Sequence, residues 1–282
     1  MVIYKKYNQR ELDLQFNNRF HVPDFKNYLQ HWETLSRQTE KELKVIKDIP
    51  YGISFRECLD VYPSLKPGSK TLVFIHGGYW QRFDKLLFHF IAKTFYNYGV
   101  TTVLMNYPLA PDVKMDEIVI SCCKAINWIH NNIAMYNGSM NNIFIAGHSA
   151  GAHLAAMLLL QGHAQTDLHF IKGMCGISGL YNLVPIKLSN INNILILDSE
   201  MAIDNSPALK EPDNICAVLL VCGAEETDEF IDQSRQLKNN WQNKIPSIEL
   251  TEIAGLNHFS ILSSIIDANS LLHQLLCNLM KI

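Results

Sequence analysis

The pentapeptide GHSAG at residues 147–151 sets Ser149 between two glycines, with the apolar run NNIFIA before it and the small-residue run AHLAAM after it. A serine at the tip of a strand that turns straight into a helix needs neighbours without bulk. The helix then brings its positive end and unpaired amides up to the hydroxyl. This context predicts Ser149 as a nucleophile. A hydroxyl attacks poorly without a base, and the base needs an acid to orient it. In chains of this pattern the acid precedes the base, and both follow the serine. The run AVLLVCG ends at Gly223 and is followed by AEETDEF, which offers Glu225, Glu226, Asp228 and Glu229. Glu226, three residues past the glycine, stands in the usual place of the acid. Asp228 is the alternative, its other role being a cap on the next helix. Among eleven histidines, His258 in AGLNHFSIL falls in the loop between the last strand and the last helix, where the base belongs. His148 is the variable residue of the elbow, and His153 lies one turn into the helix behind it.

Acyl transfer also needs hydrogen-bond donors for the oxyanion of the tetrahedral intermediate. One is the amide after the nucleophile, here Ala150. The others are expected in FIHGGYWQ (residues 74–81), an apolar run that breaks at a histidine and two glycines. Glycines leave the backbone free to aim its amides, so those of Gly78 and Tyr79 are assigned, with Gly77 as an alternative. Tyr79 and Trp80 follow at once. They are candidates for the wall of an apolar substrate pocket, and for Trp80 core packing under the loop is the competing reading.

These residues need a scaffold, and from Thr71 onward strand and helix patterns alternate. TLVFIHGG, VTTVLMNYPL, NNIFIAGHS, HFIKGMCGIS, AVLLVCGA and IELTEIAG read as strands, most of them continuously apolar, as in a parallel sheet covered on both faces. FDKLLFHFIAKTFYNYG, MDEIVISCCKAINWIHNNIAMY, AGAHLAAMLLLQG, DEFIDQSRQLKNNWQ and SILSSIIDANSLLHQLLCNLM read as helices. KVIKDIPYG and FRECLDVYP predict an opening antiparallel pair. The order implies an α/β fold with a mostly parallel central sheet and helices on both faces, as one domain over residues 1–282. A polar, helix-like extension covers about residues 1–43. An Asn- and Pro-rich insertion at about 181–214 is the expected cap or pocket wall, with its stretch from Tyr181 to Leu197 facing the substrate.

Composition bounds the rest. A net charge of −3 gives no electrostatic case for nucleic acid or an anionic membrane. No stretch reads as a signal peptide or a membrane span. Seven cysteines without a CxxC pair read as free thiols, which predicts a cytoplasmic setting. No metal-ligand spacing is visible, and the chemistry calls for neither metal nor organic cofactor. The partner expected is a small-molecule substrate, and a homodimer is left open.

HGGYWQ together with GHSAGAHL resembles the arylformamidase (kynurenine formamidase) group of α/β-hydrolases. The likeness extends through LQFNNRFHVPD, GISGLYNL, LILDSEMAIDNSP, ETDEFIDQS and GLNHFSI, from about Leu14 to Ser260. HGGxW is fairly specific to this group and its esterase relatives, whereas GxSxG is shared by very many hydrolases. The resemblance implies Ser149 as nucleophile, His258 as base and Glu226 at the acid position, where characterised eukaryotic members carry aspartate. It implies hydrolysis of N-formyl-L-kynurenine to L-kynurenine and formate in tryptophan catabolism, through a formyl-enzyme. A carboxylesterase of the same fold, acting on short acyl or aryl esters, is the alternative. An inactive hydrolase fold used as a binding module is the third.

Overall fold

The computed structural model describes residues 1–160 and 168–282. Eight strands form one sheet: β1 (Ile46–Pro50), β2 (Cys58–Tyr62), β3 (Ser69–Ile75), β4 (Thr101–Met105), β5 (Gly138–His148), β6 (Ile171–Ile177), β7 (Ala217–Gly223) and β8 (Ile248–Ile253). They lie in the order β1-β2-β4-β3-β5-β6-β7-β8. β1 pairs antiparallel with β2, and β2 antiparallel with β4; every other pairing is parallel. The expected opening pair and the parallel run after it are therefore both present. β3, β4, β5, β6 and β7 carry unbroken apolar runs because helices bury them from both sides.

One face is covered by α5 (Met115–Asn132), α6 (Ala150–Met157) and α10 (Asp228–Trp241), over a core that includes Val73, Ile75, Ile145, Met174 and Leu220. Facing the opposite way, Leu72, Phe74, Leu104, Phe144, Ile177 and Val221 pack with α3 (Phe25–Glu42), α4 (Phe90–Tyr96), α11 (Ser260–Ser264) and α12 (Leu271–Met280). The alternation of Val73 and Ile75 against Leu72 and Phe74 is the two-residue period of a strand feeding two cores at once. The helix read over residues 150–162 ends at Met157 in the described residues, and its residues 161–162 lie outside them.

Three helix readings are corrected. The segment from Phe83 to Gly99 opens as a 3-10 turn (Lys85–Phe88) before α4, with the Asp84 carboxylate accepting from the Leu86 amide. The last four residues of the pattern 115–136 form a second 3-10 turn (Ile133–Tyr136) that closes on Asn137 in the left-handed region. The final apolar pattern is two helices rather than one. Between α11 and α12 Asp267 Oδ1 accepts from the Asn269 amide, and Ser270 Oγ caps α12 at the His273 amide. Side chains that hydrogen-bond nearby backbone compete with the helix at that point.

The N-terminal extension forms α1 (Gln9–Gln15), α2 (Asn18–His21) and α3, with α1 packed against α10 and α3 against α4 and α11. The insertion carries α7 (Val184–Leu188), α8 (Asn192–Leu195), α9 (Ser199–Asp204) and a 3-10 turn at Pro207–Leu209, the short helical pieces the sequence suggested. Among the described residues no helix is long and apolar enough to cross a membrane.

Candidate active site

Ser149 sits between β5 and α6 with φ 57° and ψ −121°, a conformation few non-glycine residues adopt. The two flanking glycines are there because backbone crowds them. A Cβ on Gly147 would lie 2.2 Å from the Gly151 carbonyl oxygen, and one on Gly151 would lie 2.0 Å from that of Ile75. The sharp strand-to-helix turn is thus possible only with glycine at both places, which is what the spacing of GHSAG implied. Ser149 stays close to the sheet by donating its amide to the Ile177 carbonyl at 2.8 Å.

His258 donates Nδ1–H to Glu226 Oε2 at 2.7 Å. The other oxygen of Glu226 accepts from Ser178 Oγ at 2.6 Å and from the Gly223 amide at 2.8 Å, so the carboxylate is held on three sides. The two loops that carry this pair are clamped together. Ala224 and Glu225 donate their amides to Ile253 and Leu256, and Gly223 has no room for a Cβ against the Leu256 carbonyl. Asp228 is separated from this arrangement. It is exposed, paired with Lys6 at 3.0 Å, and held below the usual carboxylate range by hydrogen bonding to that ammonium. Of the two acids considered, Glu226 is the one that meets the histidine.

Ser149 and His258 line one cavity of about 300 Å³. Its walls also hold Gly78, Tyr79 and His148, with Trp32, Phe83, Phe88 and Phe259 as aromatic surface. Gly77 approaches the elbow so closely that a Cβ there would lie 2.7 Å from the His148 carbonyl oxygen and 2.9 Å from Ser149 Cβ. Gly78 has φ 109°, and Tyr79 and Trp80 follow at 53° and 58°. Three successive residues of left-handed sign coil the loop back on itself and bring the Arg82 carbonyl against Gly78. Among the described residues the amides of Gly78, Tyr79 and Ala150 donate to no protein acceptor. They remain free for a ligand oxygen.

His148 donates Nε2–H to the His258 carbonyl at 2.9 Å, and burial holds its pKa well below the ordinary value. It is a neutral wall beside the His258 ring. Tyr79 lines the cavity and donates its hydroxyl to the Phe16 carbonyl at 2.6 Å, tying the loop to the end of α1; burial pushes its pKa up.

Trp80 is a correction to the pocket reading. It is fully buried away from the cavity, edge-on to His153, and donates Nε1–H to His153 Nδ1 at 3.1 Å. His153 passes its own Nε2–H to the Asn205 carbonyl at 2.8 Å. The left-handed turn at Tyr79 sends the two neighbouring aromatics to opposite sides of the loop. The insertion does reach the cavity, through Asn190, Ile191 and Ile194 within the stretch from Tyr181 to Leu197, while Tyr181 and Leu197 themselves are core residues.

Several wall residues were not foreseen. Phe16, Asn17, Asn18, Arg19, Phe25 and Leu29 come from the N-terminal extension, and Arg82 from beyond the HGG turn. The signal available was the mixture of aromatics and unpaired polar groups in QFNNRF, which is unusual for a purely solvated helix. Ser178, at φ 52° past the tip of β6, was likewise missed as a partner of Glu226. No group of three or more His, Cys, Asp or Glu among the described residues is arranged to hold a metal.

The strand order, the serine elbow after β5 and the histidine loop after β8 define the class: an α/β-hydrolase, and hence a hydrolytic enzyme. Residues 59–240 match the family model BD-FAE, and the chain belongs to this family and, within the α/β-hydrolases, to the kynurenine formamidase group. It is 30% identical to the kynurenine formamidase of Danio rerio, over 97% of each chain. With that of Drosophila melanogaster it shares 27% identity over 91% of this chain and 93% of the relative. Among solved structures, the hyperthermophilic esterase of the archaeon Pyrobaculum calidifontis has the same fold, at a TM-score of 0.72 and 18% identity over 95% of this chain and 97% of that one.

Proposed function

We propose that the protein is a serine-dependent arylformamidase that hydrolyses N-formyl-L-kynurenine to L-kynurenine and formate. The observation that carries the chemistry is that Ser149, in its strained elbow, and the Glu226-bonded His258 open onto the same aromatic-walled cavity. Ser149 Oγ attacks the formyl carbon while His258 Nε2 takes its proton, and Glu226 holds the imidazole with Nδ1–H toward itself. The oxyanion meets the amides of Ala150 and of Gly78 and Tyr79, which are otherwise unpaired. His258 then returns the proton to the departing aryl amine. A water, deprotonated by the same ring, attacks the formyl ester and releases formate and free Ser149.

The choice of substrate is supported by the near full-length match to proteins named kynurenine formamidase and by a cavity walled with aromatic rings that suits an aryl leaving group. The test is kcat/KM for N-formyl-L-kynurenine beside that for p-nitrophenyl acetate, in the wild type and in Ser149→Ala. The wild type is expected to favour the formamide, and Ser149→Ala to lose about 10⁴-fold or more on both. A wild-type preference for the simple ester by orders of magnitude leaves a carboxylesterase. Retention of activity in Ser149→Ala removes the mechanism.

A further inference from the structure

Two guanidinium groups stand at the cavity without an acid to answer them. Arg19 and Arg82 both line it, and its lining contains no Asp or Glu at all. Neither arginine side chain makes an ion pair or a hydrogen bond to protein among the described residues, although the chain carries a net charge of −3 and acids are plentiful elsewhere. The two are near enough that the positive charge of Arg82 adds to burial in lowering the pKa of Arg19. Like charges left side by side cost stability unless an anion joins them.

Arg19 is also anchored by an aromatic ring. Arg19 lies 5.0 Å over the ring of Phe25, and Phe25 packs at 5.9 Å on Phe259, the residue after His258. Arg82 closes the turn that offers the free amides, its backbone carbonyl lying against Gly78.

We propose that Arg19 and Arg82 form a carboxylate-binding subsite that selects substrates whose leaving group carries a carboxylate remote from the reacting carbonyl. The inference rests on the hydrolase reading of the cavity, and for formylkynurenine it assigns the α-carboxylate to this subsite. Each guanidinium presents parallel N–H donors that match a carboxylate.

The test compares matched pairs that differ in a carboxylate on the leaving group: the aryl ester 3-(2-acetoxybenzoyl)propanoate against 2-acetoxyacetophenone, and 3-(2-formamidobenzoyl)propanoate, which is formylkynurenine without its α-ammonium, against 2-formamidoacetophenone. The variants are Arg19→Gln, Arg82→Gln, the double variant, and Arg19→Lys with Arg82→Lys. The expected result is a wild-type ratio of kcat/KM favouring the anion, which falls by roughly 10- to 100-fold in the double glutamine variant. The fall is expected in KM, to weaken as salt rises, and to be partly restored in the double lysine variant. An anionic-to-neutral ratio unchanged by the glutamine substitutions overturns the subsite. So does an equal loss on both members of a pair, or a lysine variant no better than glutamine. A wild type that prefers the anionic ester but leaves both formamides intact keeps the subsite and removes the formamidase reading. One that hydrolyses the formamides with a ratio indifferent to both arginines does the reverse.

Discussion

At the scale of single residues, the geometry around Glu226 says what the proposed triad acid must satisfy besides charge. Oε2 faces His258, while Oε1 takes two donors, Ser178 Oγ and the Gly223 amide. All three neighbours donate, so the side chain must be an acceptor at both ends. Glu226→Gln keeps the shape but turns one end into a donor, which must then face either the imidazole N–H or the Ser178–Gly223 pair. We expect the fold to survive and kcat to fall by about 10² to 10⁴ with little change in KM, because the imidazole loses its orientation and its counter-charge. Asp228→Asn is the control. Its carboxylate is mostly exposed and engages Lys6, so kcat/KM should stay within about twofold of wild type. Steady-state kinetics on the two purified variants distinguish the residues, and comparable losses in both would make Asp228 part of the machinery.

At the scale of elements, the site is a meeting of five loops, those after β3, β5, β6, β7 and β8, with one N-terminal arm, and their mutual ties set its precision. Tyr79 joins the free-amide loop to the arm through its hydroxyl bond to the Phe16 carbonyl, and Thr227 Oγ1 donates to the neighbouring Gln15 carbonyl. Tyr79→Phe removes one tie at a cost of about 1 kcal/mol. The expected outcome is faster amide hydrogen exchange in residues 9–21, together with a kcat reduced several-fold while the elbow is untouched. Unchanged exchange in the arm would show that the bond is incidental. A Gly151→Ala substitution acts in the opposite way, on the scaffold itself. The new methyl meets the Ile75 and His76 carbonyls, groups on a central strand that cannot step aside, so little soluble protein is expected. The same contrast marks what the sequence could disclose. The elbow, the parallel strands and the two late loops are written in local patterns: glycine spacing, continuous apolar runs, and a polar residue at a strand tip. The arm is not, because Asn17, Asn18 and Arg19 have the polarity of a solvated helix, and only the tertiary path across the sheet turns them toward a cavity. Trp80 fails for a related reason. Tyr79 and Trp80 are equally aromatic, and which one faces substrate is decided by two left-handed φ values that composition does not reveal.

At the scale of the whole molecule, the buried histidines tie stability to pH. His76 is stacked between Tyr107 and Phe88, at ring distances of 4.4 and 5.9 Å, and burial lowers its pKa from 6.5 to about 4. Burial holds His148 well below 6.5 as well, with the neighbouring His258 adding to the effect. Between pH 6.5 and about 4 the unfolded chain therefore binds protons at these two rings that the folded chain refuses. Stability must then fall as pH falls through that window, by up to about 1.4 kcal/mol per pH unit for each ring. Asp60 and Asp84, lowered from 3.8 although burial opposes it, add a loss of the same sign only below about pH 4. Glu229, raised by burial, opposes the trend near the acid end of the window, since its folded form binds the proton first. Between pH 6.5 and 5 the histidines thus govern the slope. Thermal unfolding followed from pH 7.5 to 5 should show a level Tm down to about 6.5 and a progressive fall below it. His76→Gln lowers the absolute Tm by disturbing the aromatic stack, but it removes one proton-refusing group, so its Tm should decline less steeply than that of the wild type over the same interval. Parallel curves for the two proteins would mean that His76 keeps an ordinary proton affinity in the fold, and that its neutrality at the base of the HGG loop is not a property of the packing around it.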